Sequence, residues 1–226
     1  MKYLFIAIFF LSFSNLFSQS MLFRSGVNIT SYDYKNSANE KNTNIQSSTG
    51  NFYEIAYSFP IAFKKRGVRR GSGMSSRLNS ITSININEYN ATGGNVIDNY
   101  DWDTSYLGIK SNLSYTILGN EDFFELALKG GVSLSKILNG KQKIGGNSYD
   151  LNDNQEFNKL MFAPNIGLDI KFGLYNDIFM NFGIDFSKVM PVTRNPDQSN
   201  DPEVIKNKES LSFNNTQLAF GVFINL

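Results

Sequence analysis

The chain has 226 residues, with 21 Lys and Arg against 20 Asp and Glu, which suits a single domain of nearly neutral charge. A formal net charge of +1 argues against a nucleic-acid partner. The sequence contains no His and no Cys, which excludes Ser-His-Asp hydrolysis, His metal sites, thiol catalysis and disulfides.

Residues 1–20 have the pattern of a secretory signal peptide. Lys2 supplies a short positive region, residues 3–13 are almost all apolar, and small residues follow, so we expect cleavage after Ser18 or Ser20. A membrane anchor is the alternative, but the apolar run is shorter than the roughly 20 residues that a spanning helix needs. We therefore expect residues 21–226 to form the mature domain.

Eight later segments alternate large apolar side chains with small or polar ones, the period of a strand with one oily face. We predict strands at about 22–32, 52–63, 77–89, 102–118, 123–138, 157–174, 178–189 and 215–226. In the last segment Leu218, Phe220 and Val222 share one parity, whereas Asn215 and Gln217 share the other. Phe223 is an aromatic exception on the second parity, and we expect it to fill the interior near one end.

The predicted connections alternate in length. Those after the first, third, fifth and seventh strands are long and polar, whereas those after the fourth and sixth contain three or four residues. This is the pattern of outer-membrane barrels, which have an even strand number, short periplasmic turns and long outer loops. We expect an aromatic girdle at the outer rim and another at the inner rim, formed by Tyr89, Trp102, Tyr106 and Phe157 and by Phe123, Phe124 and Tyr175, respectively.

A soluble barrel or sandwich, such as a lipocalin-like binder, is the alternative to a membrane barrel. It would turn the apolar parity inward, with about five large side chains from each strand, more than an eight-stranded barrel can hold. Gly, Ser, Ala and Asn dominate the other parity, which suits a narrow interior. The sequence therefore predicts an all-β fold, a closed eight-stranded antiparallel up-and-down transmembrane β-barrel.

The C-terminal strand resembles the targeting signal of bacterial outer-membrane barrels, through Gly221, Ile224 and Leu226, although that family usually ends in Phe or Trp. Together with the signal peptide and the eight strands, the chain resembles small outer-membrane barrels of the OmpA/OmpX type. The Asn-rich loops and the segment SFSNLFSQ are similar to those of Bacteroidota outer-membrane proteins.

The resemblance implies a location in the bacterial outer membrane and a non-enzymatic role, structural or as an accessory subunit of a larger assembly. The expected partners are outer-membrane lipid and other outer-membrane or periplasmic proteins, and no cofactor is expected. The alternative function is a surface binding or adhesion module that uses its four outer loops.

Charged residues recur on the parity that we assign to the barrel interior, and they are Arg24, Glu54, Lys110, Glu125, Lys129, Lys159, Asp169, Lys171 and Asp185. Buried charges must be paired, hydrogen-bonded or hydrated. We therefore predict an internal salt-bridge network that plugs the barrel. A small pore or proton path is the alternative, but eight strands enclose too narrow a space for an open channel.

The connection after the second strand is unusually basic, with Lys64, Lys65, Arg66, Arg69 and Arg70 in a stretch that has no acidic residue. It falls on the inner side of the predicted barrel. It is either a solvated turn that touches anionic lipid headgroups or a docking site for a periplasmic or membrane partner with an acidic surface.

Two groups of loop carboxylates are candidate metal ligands, and they are Asp98, Asp101 and Asp103, and Asp150 and Asp153. Carboxylate oxygens bind Ca²⁺, but these residues lack the spacing of a calcium-binding loop. We therefore expect solvated loops and no metal site.

Overall fold

A computed structural model of the chain describes residues 19–35, 40–41, 44–61, 77–94, 99–120, 123–144, 146–152, 160–175, 177–191 and 210–226. Within these ranges the chain forms ten strands, which are β1 (Ser20–Lys35), β2 (Ile45–Pro60), β3 (Leu78–Glu88), β4 (Ala91–Gly94), β5 (Asn99–Asn120), β6 (Phe124–Ile144), β7 (Asn147–Asp150), β8 (Met161–Tyr175), β9 (Ile178–Pro191) and β10 (Ser210–Asn225). In this described part of the chain, no helix is both long and apolar enough to cross a membrane.

Eight of the strands form a closed ring. β1 pairs with β2 and β10, and the ring continues through antiparallel pairs in the order β2, β3, β5, β6, β8, β9 and β10. Each of these eight strands thus has a partner on both sides, and the barrel wall has no open edge. This confirms the predicted closed, eight-stranded, up-and-down barrel.

The register around the ring fixes the tilt of the strands. Following paired residues from Thr30 of β1 through the other seven strands leads back to β1 at Ser20, ten residues earlier along the strand. A stagger of this size across eight strands tilts them by about 35–45° from the barrel axis.

The two faces of the wall differ as the alternation predicts. Exposed apolar side chains cover the outside, and Ile55, Ile84, Ile109, Leu113, Leu128, Ile166, Leu168, Ile184, Leu218 and Phe220 are among them. Small, amide and charged side chains face inward and are buried. A belt of exposed apolar side chains around a polar interior is the arrangement that a bilayer stabilises.

Two strands lie in segments that were predicted to be loops. β5 and β6 extend past the barrel, and β4 pairs with β2 and β5 in line with β3. β7 folds back on the extension of β6 through a turn that contains Gly146, whose φ of 87° is unfavourable for other residues. Both strands lie at the same end of the barrel, called here the loop end. The opposite, terminal end carries Ser20 and Leu226.

The expected outer aromatic girdle is wrong for three of its four residues. Tyr89, Trp102 and Tyr106 are buried inside the barrel, because each has the parity of the polar positions in its strand. Phe157 lies outside the described residues. At the terminal end, Phe123 and Tyr175 of the expected inner girdle are each 72% exposed, as side chains on the outward-facing surface of the wall would be.

Candidate functional site: the filled barrel interior

The middle of the barrel contains three cations and three carboxylates, all at most 7% exposed. They come from six different strands, and they are Arg24, Glu54, Lys110, Lys129, Asp169 and Asp185. We call these six residues the central charge cluster. Their formal charges cancel, which lowers the cost of holding them away from bulk water.

Arg24 lies at the centre of the cluster and contacts all three carboxylates. Its Nε donates to Glu54 Oε2 at 2.8 Å, and its Nη2 contacts the same oxygen. Its Nη1 donates to Asp169 Oδ1 at 3.2 Å, and its Nη2 lies 3.6 Å from Asp185 Oδ2. A planar guanidinium with five N–H donors suits this bridging role better than a lysine ammonium would.

The two lysines complete the pairing of the two aspartates. Lys129 Nζ lies 2.6 Å from Asp169 Oδ1 and 2.9 Å from Asp185 Oδ1. Lys110 Nζ lies 2.9 Å from Asp185 Oδ2. Each aspartate therefore contacts at least two cations, so removing one cation leaves its carboxylates only partly compensated.

Two glycines make room for the aspartates, and sequence reasoning did not identify them. Gly167 pairs with Asp185, and Asp169 pairs with Gly183, across the β8–β9 ladder. A Cβ at either glycine would overlap an oxygen of the paired carboxylate. The available signal was the repeated Gly-apolar-Asp pattern at 167–169 and 183–185. Ser83 was also missed, and its hydroxyl donates to Glu54 Oε1 at 2.5 Å.

A layer of amide side chains lies between the cluster and the loop end. Asn28 Oδ1 accepts hydrogen bonds from Asn215 and Gln217, each at 3.1 Å. Gln217 also donates to Asn87 Oδ1 at 3.2 Å. These bonds link β1, β3 and β10 across the interior, and they fill the space with amide groups that are hydrogen-bonded to one another.

Apolar and aromatic side chains fill the interior at the loop end. Tyr32 packs on Phe213 with ring centroids 4.6 Å apart, and Tyr89 packs on Phe213 at 4.7 Å. The Tyr32 hydroxyl donates to the Tyr89 carbonyl oxygen at 2.8 Å. Trp102 and Tyr106 belong to the same buried cluster. We call these five side chains the aromatic plug.

A smaller apolar group lies at the terminal end. Phe223 meets Phe179 edge to face, with centroids 6.3 Å apart. Lys171 Nζ lies 4.0 Å from the centre of the Phe223 ring and 3.0 Å from Glu125 Oε2. A cavity of about 90 Å³ opens beside this group. Phe223 thus lies inside the barrel at the position that its parity indicated.

Several residues named from sequence lie outside the described part of the chain. They are Lys159, the basic stretch Lys64, Lys65, Arg66, Arg69 and Arg70, and the loop carboxylates Asp98 and Asp153. Among the described residues, no three acidic side chains are placed to hold a metal ion. Asp101 and Asp103 are instead paired in register with Lys143 and Lys141.

A closed eight-stranded barrel with an apolar outside and a filled polar interior has the fold of the small outer-membrane barrels of the OmpA/OmpX type. The chain is similar to the outer membrane protein OprG from Pseudomonas aeruginosa, with a TM-score of 0.51 at 11% identity, over 92% of this chain and 96% of that one. It is also similar to Neisserial surface protein A, with a TM-score of 0.48 at 10% identity, over 90% and 96%.

The Escherichia coli outer membrane protease OmpT also matches, with a TM-score of 0.42 at 8% identity, over 94% of this chain and 98% of that one. No protein-family model and no curated protein sequence matches the chain. At these identities, the likeness to OprG establishes the fold and leaves the activity open.

Proposed function

We propose that the protein is a non-enzymatic barrel of the bacterial outer membrane that does not conduct ions and acts as a structural element or an accessory subunit. The observation that carries this proposal is the filling of the interior at three levels. The aromatic plug, the central charge cluster and the Phe179–Phe223 pair follow one another along the axis. A substrate or an ion would have to displace all three.

The outer-membrane location is supported by the exposed apolar belt, by the signal-like residues 1–20 and by the C-terminal strand. In this orientation the loop end faces outward and the terminal end faces the periplasm. The similarity of the Asn-rich loops to Bacteroidota proteins supports a source in that group.

The non-enzymatic role is supported by the absence of His and Cys from the sequence. The buried carboxylates of the central charge cluster point at cations of the same cluster, and not at a cavity that could admit a substrate. A general acid or base needs hydrogen-bond reach to its substrate, and these groups have none available.

Single-channel recording in planar bilayers tests the central claim. Protein that shows heat-modifiable gel migration, and is therefore folded, is expected to give no conductance steps, whereas a general porin reconstituted in the same lipid gives them. Regular conductance steps from the folded protein would overturn the non-conducting role.

The accessory role would use the basic connection after β2. If Lys64, Lys65, Arg66, Arg69 and Arg70 dock an acidic partner, replacing all five by Gln should abolish co-purification of that partner from native membranes in mild detergent. Replacing Lys141 and Lys143, which lie at the loop end, by Gln is the control. Unchanged co-purification of every partner by the five-residue variant would refute docking.

A surface-binding function is the second candidate. It is favoured by the β5–β6–β7 extension, which projects past the barrel and carries the exposed side chain of Tyr149. Shortening the loops at the loop end separates the two candidates, because a binder then loses its ligand whereas an accessory subunit keeps its complex.

A further inference from the structure

Three hydroxyl side chains interrupt the apolar outer surface on one side of the barrel. Ser80 and Thr82 of β3 and Ser111 of β5 have the outward parity, and Thr82 lies directly opposite Ser111 across the β3–β5 ladder. Among the described residues, none of the three hydroxyls has a hydrogen-bond partner. We call these three residues the hydroxyl patch.

The hydroxyl patch lies in the middle of the surface that faces lipid. On β3 the nearest charged residues are Arg77 toward the terminal end and Glu88 toward the loop end, and Thr82 is midway between them. A tilted strand rises by about 2.5 Å per residue along the barrel axis. Thr82 is therefore about 13–15 Å in height from each charged residue, which is the centre of an apolar band about 25 Å tall. No water is present at this depth to pair with a hydroxyl.

The wall carries small side chains at this point and larger ones around it. Following the pairs from Thr82 to β6, and correcting for a stagger of about 1.25 residues per strand, leads to Gly130 at nearly the same height. Ile84 and Ile109 project on the loop side of the patch, each 60% exposed, and Leu113 is 52% exposed. Small side chains at mid-membrane allow a second wall to approach closely.

The opposite side of the barrel lacks these features. At the same height, β8, β9 and β10 present Leu168, Ile184 and Phe220, and their neighbours on the outer face are apolar as well. Lipid tails solvate such side chains as well as another protein would. Ser25 of β1 is an isolated outward hydroxyl, because the large side chains of Tyr53 and Phe220 are its neighbours on the adjacent strands.

We propose that the β3–β5 side binds the same side of a second copy of this chain within the membrane. Copies inserted into one membrane share their orientation, so a two-fold axis that relates them runs along the membrane normal. Each residue then meets residues of its own height on the second copy. A hydroxyl group both donates and accepts, so the hydroxyl patch is complementary to itself. The proposal rests on the membrane location given above.

Sedimentation equilibrium in neutrally buoyant detergent micelles measures the association. The test variant is Ser80→Ala/Thr82→Val/Ser111→Ala, which removes the three hydroxyls with little change in size. Its control is Ser25→Ala, which removes an outward hydroxyl outside the patch. A second pair tests close approach: Ser111→Leu adds bulk within the patch, and Ser25→Leu adds the same bulk outside it. Heat-modifiable migration confirms that each variant is folded.

The native protein is expected to form a species of twice the monomer mass. The triple variant should dimerise about tenfold or more weakly, since several hydrogen bonds at the membrane centre are lost. Ser111→Leu should also weaken the dimer, because the two walls are then held apart. Both Ser25 variants should dimerise as the native protein does.

Disulfide trapping in native membranes locates the interface. The chain contains no Cys, so Thr82→Cys and Ser111→Cys each introduce a single thiol. A disulfide requires Cβ atoms about 3.5–4.5 Å apart. Mild oxidation is therefore expected to give a covalent dimer from at least one of these two variants and none from Ile184→Cys, on the opposite side.

A native protein that stays monomeric would overturn the proposal, as would equal dimerisation of the triple variant and Ser25→Ala. Trapping that is no stronger at the patch than at Ile184 would also overturn it. Co-purification of a different membrane protein in place of the second copy, lost in the triple variant, would assign this face to that protein instead. A conductance measurement that contradicts the proposed function leaves all of these results unaffected, so the two failures are distinguishable.

Discussion

Replacing Arg24 by Met is expected to destabilise the barrel by about 3–5 kcal/mol. Arg24 is the cation through which Glu54 is neutralised, since its Nε and Nη2 both contact Glu54 Oε2. Without it, the hydrogen bond from Ser83 is the one direct side-chain contact that Glu54 keeps among the described residues. The variant thus buries a carboxylate that no cation contacts directly, and the cost of that charge exceeds the loss of the contact itself.

The two aspartates reduce the total effect, because Lys129 stays 2.6 Å from Asp169 and Lys110 stays 2.9 Å from Asp185. Most of the loss should therefore be recovered by neutralising Glu54. In the double variant Arg24→Met/Glu54→Gln, two cations face two carboxylates, and we expect it to lie within about 1–2 kcal/mol of the native protein.

Urea unfolding in phospholipid vesicles measures these free energies. The fluorescence of Trp102, the single tryptophan of the chain, reports on the buried aromatic plug. Arg77→Met is the control, because the Arg77 side chain is exposed and its loss should cost less than about 0.5 kcal/mol. The reasoning is refuted if Arg24→Met is as mild as the control, or if the double variant is no more stable than Arg24→Met.

Three further predictions use the same unfolding assay. Gly131→Ala should destabilise the barrel by about 1–3 kcal/mol, because the added Cβ would overlap the neighbouring strand. Gly130→Ala should be tolerated, because its Cβ would meet nothing closer than 3.7 Å. Equal effects of the two variants would contradict this. Phe223→Ala should cost about 3 kcal/mol by opening a cavity at the terminal end, and a cost below about 1 kcal/mol would show that the ring is not packed. Tyr106→Phe should be neutral or stabilising, because the buried Tyr106 hydroxyl has no hydrogen-bond partner among the described residues. Tyr32→Phe should cost about 1 kcal/mol, because it removes the hydrogen bond to the Tyr89 carbonyl oxygen. A larger cost for Tyr106→Phe than for Tyr32→Phe would refute this reasoning.

Alternation along the strands was sufficient to predict the barrel and the inward residues. In β1, Arg24, Asn28 and Thr30 are buried while Phe23 and Val27 are exposed, as period two requires. The same rule places Tyr106 inside, because it has the parity of Lys110. The predicted outer girdle was wrong for Tyr89, Trp102 and Tyr106. It relied on the usual location of aromatic residues at the membrane interface, whereas their parity along the strand places them inside.

The contacts inside the barrel could not be predicted in the same way. Arg24 and Glu54 are paired across adjacent strands, so a hairpin register would bring them together. Arg24 and Asp169 lie on strands far apart in the ring, and their contact depends on the stagger of the whole barrel. That stagger is a property of closure and is not encoded in any single strand. β4 and β7 were missed for a related reason, since four-residue strands form only because longer neighbours extend beside them.

An apolar core could make the barrel as stable as the central charge cluster does. The stagger suggests a reason why charged residues are present instead. A slip of one residue in β1, β5 or β6 would turn Arg24, Lys110 or Lys129 toward lipid. Each such cation at mid-membrane costs about 2–4 kcal/mol, so the three together approach the whole stability of a typical domain.

We infer that the central charge cluster selects the register as much as it stabilises the fold. The double variant Arg24→Met/Glu54→Gln separates the two contributions, because it should recover stability while its folding yield remains below that of the native protein. A native folding yield would show that Arg24 and Glu54 contribute to stability and do not select the register of β1.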